Sequence, residues 1–126
     1  MDHIAGNAGQ LPGCGRRTTG QVLLRHQDAA ELRRSHCVRL APVTIETALE
    51  MIEAVPELAL LRGFRSLPRG DCDALARAVR AVSLLAGLKS RTVTEAEINP
   101  LLVRGEGGGV VAVDALVAWR TAIAPA

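Results

Sequence analysis

Residues 97–115, EINPLLVRGEGGGVVAVDA, constrain this chain more than any other segment. Two apolar runs flank the five-residue loop GEGGG, and a short Gly-rich loop between such runs joins antiparallel strands. The pattern predicts a hairpin with strands over 93–104 and 110–114. If the hairpin folds about the centre of its loop, residues whose numbers sum to about 213 face each other. Asp114 then lies beside Asn99. Side chains alternate along a strand, so Glu97 and Asn99 share one face and Ile98 takes the other. Two carboxylates and an amide oxygen are thereby expected to converge on one small volume.

Oxygen donors of this kind suit a hard cation. Mg²⁺ fits best, because it keeps several waters and shares phosphate oxygens with protein carboxylates. Without a cation, two close carboxylates repel and one must take up a proton. Spacing alone leaves plainer readings open. Asp114 serves equally well as the N-cap of a following helix, Glu97 as a solvated strand residue, and Asn99-Pro100 as turn chemistry.

The rest of the chain supplies elements on which such a hairpin could rest. VRLAPV, from Val38, reads as extended and ends at a proline. Thr44 is placed to cap a helix whose apolar face is Ile45, Ala48, Leu49 and Ile52, at helical spacing. Pro56 ends that helix. A short apolar turn over 58–61 leads into the loop RGFRSLPRGD. Asp71 is expected to cap a second helix with the buried stripe Leu75, Ala78, Val79, Val82, Leu85 and Ala86, stopped by Gly87. Asp73 and Arg77 are an i,i+4 pair on its outer side. Residues 115–123 read as a closing helix with Leu116, Trp119 and Ile123 toward the core. Residues 1–37 show no periodicity and are expected to form an unassigned flexible arm, apart from a short helix within 20–34. The expected fold class is α+β, with helices packed on a small, mainly antiparallel sheet and a single domain over 38–126.

Composition narrows the functions. The chain has 126 residues and a formal net charge of +2. Six arginines against three acids make residues 1–40 basic, while nine basic residues face ten acids in the remainder. Only 2% of residues are aromatic, too few for a base-stacking platform, so nucleic-acid binding is not expected. No apolar run approaches the ~18 residues of a membrane span. The N-terminus lacks a basic-then-apolar leader, which makes the cytoplasm the expected location. Three widely spaced cysteines, Cys14, Cys37 and Cys72, suit neither a disulfide framework nor a zinc site and read as inert thiols.

Other motifs are weaker. The stretch from Gly13 lacks the third glycine of a dinucleotide fingerprint, and Gly15 to Gly20 has P-loop spacing without the Lys-Ser/Thr that must follow. His3, His26 and His36 have no triad or metal partner by spacing and are expected in solvent. Arg62, Arg65 and Arg69 lie on one loop and could hold phosphate or carboxylate groups; a solvated polar loop is the plainer alternative.

Taken in order, RLAPVT, LRGFRSLPRGD, DALARAVRAVSLLA, EINPLLV and GVVAVDALV resemble the C-terminal end of the ATP-grasp domain in ADP-forming acyl-CoA synthetases. Acetate–CoA ligases are the nearest members, and the succinyl-CoA synthetase β subunit has a similar EINPL stretch followed by an aspartate. These pieces span about seven tenths of the chain. The resemblance implies a partial ATP-grasp subdomain in which Asn99 and Asp114 hold the Mg²⁺ of ATP or ADP, with Glu97 as a further nucleotide-site contributor. Arg65-Ser66 stands where the family usually has Arg-Gly. The family's phosphate-contacting lysine and adenine-holding hinge have no counterpart here, and residues 1–37 are expected to be unrelated to it. His26 and Gln27 stand where glycines are expected, and Glu31 takes no role.

Three functions are weighed. The first is the Mg-nucleotide end of a ligase interconverting acyl-CoA, ADP and phosphate with acid, CoA and ATP. The phosphorylated histidine and the remaining cleft would be supplied by a CoA-binding subunit or the missing ATP-grasp half. The second is a non-catalytic remnant that docks on a synthetase subunit or forms a homo-oligomer through an exposed apolar edge. The third, nucleic-acid binding through the Arg-rich arm, is disfavoured by the low aromatic content and the acidic remainder, and its signature would be a steep salt dependence of any DNA affinity.

Overall fold

The computed structural model describes residues 3–10, 20–27, 36–63 and 68–121. Six strands form one sheet: β1 His3–Gln10, β2 Gly20–Gln27, β3 His36–Leu40, β4 Arg91–Val103, β5 Val110–Ala112 and β6 Ala115–Thr121. The spatial order is β3-β2-β1-β4, with β5 and β6 both pairing along the far side of β4. Every recorded pairing is antiparallel. Two helices, α1 Ile45–Ala54 and α2 Cys72–Leu84, pack with the sheet around one main apolar core. The expected α+β class, helices on a small antiparallel sheet, is what the chain adopts.

Both helices begin where the sequence predicts. Thr44 accepts the Thr47 N–H through its side chain, and Asp71 does the same for Ala74. Such caps satisfy donors that the first helical turn leaves unpaired. α1 buries Ala48, Met51 and Ile52, with Ile45 and Leu49 packed beside them. After Pro56 the chain tightens into a 3₁₀ stretch, Pro56–Arg62, that buries Leu58 and Leu61. α2 buries Leu75, Ala76, Val79 and Val82, then ends in a 3₁₀ turn over Leu85–Gly87. Asp73 and Arg77 are both exposed on its outer side, with no ion pair between them among the described residues.

Ser83 is fully buried beside this core although it is polar. Its hydroxyl accepts the Val43 N–H (3.0 Å) and donates to Arg80 O (2.6 Å). The hydroxyl thus satisfies a buried backbone donor ahead of α1 and joins it to α2.

Two expected helices are strands. Residues 20–27 form β2 rather than the start of a helix over 20–34; residues 28–35 lie outside the described residues. The side chains of Val22 and Leu24 are buried in the core, which is period-two burial. The stretch expected as a loose arm therefore supplies β2 and also β1, which lies between β2 and β4 at the middle of the sheet. Residues 115–121 form β6 instead of a closing helix, while Ile123 lies outside the described residues. β5 is only three residues long and leaves most of the thirteen-residue β4 unpaired on that side. Pairing with β4 satisfies backbone groups along its length, and this non-local gain overrides the helix preference of the local Ala and Leu residues. Leu116 and Trp119, expected in the core, are consequently exposed.

The hairpin register is the one the loop predicts. Leu101 faces Ala112 and Val103 faces Val110. The same register continues into β6, where Ile98 faces Ala115 and Glu97 faces Leu116.

Candidate functional site

A one-residue irregularity in β4 creates the site. Against β1, Ile4 faces Leu101 but Gly6 faces Ile98, so β4 carries an extra residue at Asn99-Pro100. A bulge of this kind reverses the in-out phase of a strand. Ala96 and Ile98 pack toward the helices before it, and Leu101 and Val103 do so after it. Proline suits such a position, having no N–H to donate. The opposite strand breaks at the same level, between β5 and β6, at Val113-Asp114. Two backbone bonds hold the paired break: Asn99 N–H donates to Asp114 O (2.9 Å) and Val113 N–H to Pro100 O (3.0 Å).

Glu97, Asn99 and Asp114 come together there, as the spacing predicts. They line a shallow open cleft of about 170 Å³ with Ala115 and Leu116. Glu97 and Asn99 are half-buried and Asp114 is exposed. Asn99 Nδ2 donates to Glu97 Oε1 (3.4 Å). That bond orients the amide and leaves its oxygen available. Neither carboxylate is paired with a basic side chain among the described residues. Two uncompensated carboxylates and a carbonyl oxygen on one open cleft are a donor set for a hard divalent cation. No group of three or more His, Cys, Asp or Glu residues suited to a metal occurs among the described residues; here the third donor is an amide.

The loop before α2 has a role that its sequence does not reveal. Gly70 forms a bridge with Gly105 of the Gly-rich turn. Asp71 N–H donates to Arg104 O (2.9 Å), and Glu106 N–H donates to Arg69 O (2.9 Å). Asp71 does double duty, because Oδ1 caps α2 at Ala74 (3.0 Å) and Oδ2 accepts the Gly109 N–H (2.8 Å). These two bonds hold the Asp71 carboxyl below its ordinary range, with Arg77 assisting. Gly109 meets this aspartate with φ of +80°, a conformation glycine adopts freely. A Cβ at Gly70 would lie 2.8 Å from Leu61 Cδ2, so the Leu61 side chain would have to shift to admit one. The signal for this junction, glycines in both the RGD and GEGGG segments, was present in the sequence but read as two separate turns.

The arginines of that loop do not join the hairpin cleft. Arg62 Nη1 donates to Ile52 O (3.4 Å) and Arg69 Nε to Arg62 O (3.3 Å). Both line a separate cleft of about 280 Å³ whose other charged residues are Glu53, Asp71, Asp73 and Glu106. Arg65 and Ser66 lie outside the described residues. So do Cys14, Glu31, the stretch 13–18 and the side chains of His3 and His26, while His36 is exposed. Cys37 is buried and Cys72 half-buried, both free thiols, and burial pushes the Cys72 thiol up. No helix among the described residues is long and apolar enough to cross a membrane.

The chain is similar in sequence and fold to known proteins. Residues 26–118 match the model of an ATP-grasp domain family. Over 81 residues the chain is 36% identical to acetate–CoA ligase [ADP-forming] I of Archaeoglobus fulgidus, covering 64% of this chain and 12% of the ligase. Over 87 residues it is 29% identical to the β subunit of acetate–CoA ligase [ADP-forming] II of Pyrococcus furiosus, covering 69% of this chain and 37% of the subunit. The fold matches PH1788 from Pyrococcus horikoshii with a TM-score of 0.80 at 23% identity, over 95% of this chain and 49% of the other. It also matches the dinucleotide-forming acetyl-coenzyme A synthetase 1 of Ca. Korarchaeum cryptofilum, solved with coenzyme A and Mg-AMPPCP. That TM-score is 0.76 at 23% identity, over 94% of this chain and 53% of the other. The chain therefore spans well under half of either curated relative and about half of these solved chains.

Proposed function

This chain belongs to the ATP-grasp domain family and is homologous to ADP-forming acetate–CoA ligases, and from that premise we propose that it carries the Mg-nucleotide-binding hairpin of such a ligase. The observation that carries the proposal is the paired break at Asn99-Pro100 and Val113-Asp114, which gathers Glu97, Asn99 and Asp114 on one cleft. Asp114 and the Asn99 amide oxygen are the ligands for Mg²⁺. Glu97 steadies the Asn99 amide through their hydrogen bond and would contribute to the nucleotide site beside it.

The bound cation would supply neutralisation of phosphate charge during phosphoryl transfer. The chain's own part is positional. The β4 bulge fixes the separation of the donors, and the junction of Asp71 with the Gly-rich turn holds the far end of the hairpin. The overall reaction, acyl-CoA with ADP and phosphate giving acid, CoA and ATP, needs a CoA site, a phosphorylated histidine and the opposite wall of the nucleotide cleft. In this proposal those groups lie on polypeptide beyond the 126 residues, either a CoA-binding subunit or a further ATP-grasp segment, and activity is assigned to the assembly. The Korarchaeum synthetase, solved with coenzyme A and Mg-AMPPCP together, supports that division.

Calorimetric titration with ADP and ATP, with and without Mg²⁺, tests the reading. Mg²⁺-dependent heat that disappears in Asp114→Ala is the expected result. A folded chain that binds nucleotide equally well without Mg²⁺, or with Asp114→Ala, would overturn it.

A further inference from the structure

We propose that, in the absence of nucleotide, two copies of this chain join antiparallel along β6 to extend the sheet across a two-fold axis. Three observations lead there. β6 pairs with β4 along one edge, and among the described residues no strand pairs with its other edge. An unpaired edge is a template for a further strand, and proteins that stay monomeric blunt such edges with lysine, proline or bulges. β6 has no lysine, proline or bulge, and Arg120 is its one charged residue; the irregularity near Thr94 is on β4.

The exposed side chains there are large and apolar: Val113 at 57%, Leu116 at 53%, Val117 at 42% and Trp119 at 50%. They occupy both faces of the sheet, since Val117 faces Ala96 and Leu116 faces Glu97 across β4. An occupant must therefore cover both faces, which an added strand does and a helix laid on one face does not.

Charge selects a second copy as that occupant. The segment has one acid at its start, Asp114, and one base near its end, Arg120. An antiparallel pairing centred on Val117 sets each Asp114 opposite the other copy's Arg120. It also sets Val117 opposite Val117, Ala115 opposite Trp119 and Leu116 opposite Ala118. Both ion pairs form at once, no like charges meet, and the apolar residues pair across the new ladder.

Asp114 is also the carboxylate assigned to Mg²⁺, so the two occupants exclude each other. The test is run without Mg²⁺ or nucleotide and stands or falls apart from the nucleotide reading. Sedimentation equilibrium over a concentration series is expected to show wild-type chain passing from 13.3 kDa to twice that mass. Arg120→Asp and Asp114→Arg each place like charges opposite one another and should each weaken association by roughly tenfold or more. Mixed in equal amounts, they restore both ion pairs and should form a heterodimer of near wild-type strength, which also proves that both variants fold. Three results would overturn the proposal: a wild-type chain that stays monomeric, single variants that dimerise like wild type, or a mixture that fails to recover.

Discussion

The two halves of strand β4 live under different rules. From Leu101 onward the strand lies against the helices: Leu101 and Val103 are buried, Val110 packs against the same core, and the turn beyond them is tied to Asp71. Up to Asn99 the strand borders β6, whose large side chains stand in solvent, and it carries Glu97 and Asn99 on an open cleft. Both halves bury apolar side chains toward the helices, and the half from Leu101 onward is further tied through its turn to Asp71. The other carries Glu97 and Asn99 on a cleft that Asp114 also lines, with no basic partner for either carboxylate among the described residues. The bulge at Asn99-Pro100 divides the two. Stability and ligand binding should therefore respond to different residues, although fewer than twenty positions separate them in sequence.

The sharpest break in the stable half is Leu75→Ala. Leu75 is fully buried between the helices and the sheet, so about 2–5 kcal/mol should be lost, read as a lower urea midpoint at unchanged slope. Asp71→Ala comes next. It frees the Ala74 and Gly109 N–H groups together, and the melting temperature should fall by roughly 5 °C or more. The pH dependence follows from the same carboxyl. Its folded value is held below the ordinary 3.8, so it stabilises the fold above that value. The contribution is lost as pH falls through the lower folded value. Acid unfolding below about pH 4 should accordingly be less steep in Asp71→Asn than in wild type. Gly109→Ala imposes a side chain at φ of +80° and should cost about 1 kcal/mol. Asp114→Ala, in the exposed half, should change stability by no more than about 0.5 kcal/mol while removing Mg²⁺-dependent nucleotide binding. If Asp114→Ala unfolds the chain, or Asp71→Ala abolishes binding without loss of stability, the division between the halves is wrong.

The sequence was legible where local chemistry decides. Thr44 and Asp71 marked helix starts because a side-chain acceptor next to unpaired N–H groups has few other uses. The hairpin register could be counted from GEGGG because a short turn leaves little freedom. It failed where a distant strand supplied the decisive bonds. ALVAWRT looks helical alone and becomes a strand because β4 is long. Val22 reads as part of a short helix because the strands that β2 lies between, β1 and β3, are separated from it by stretches without clear periodicity. The candidate cleft follows from strand alternation and the register counted from the loop, but its cause does not, since an extra residue in β4 is visible only against the register of β1.

That extra residue has a consequence for how such chains can change. Asn99 and Asp114 meet because the backbone between them makes one full return trip, and the return is pinned near both ends. Residues added at the tip of the Gly-rich turn need not disturb the meeting point, because the ladder below remains in phase. A single residue added to either strand between the tip and the break would turn one donor toward the helices while its partner stayed on the cleft. The count of residues in the ladder thus works as a ruler with a parity, and relatives that keep a working site should vary in the length of the turn and not in the ladder.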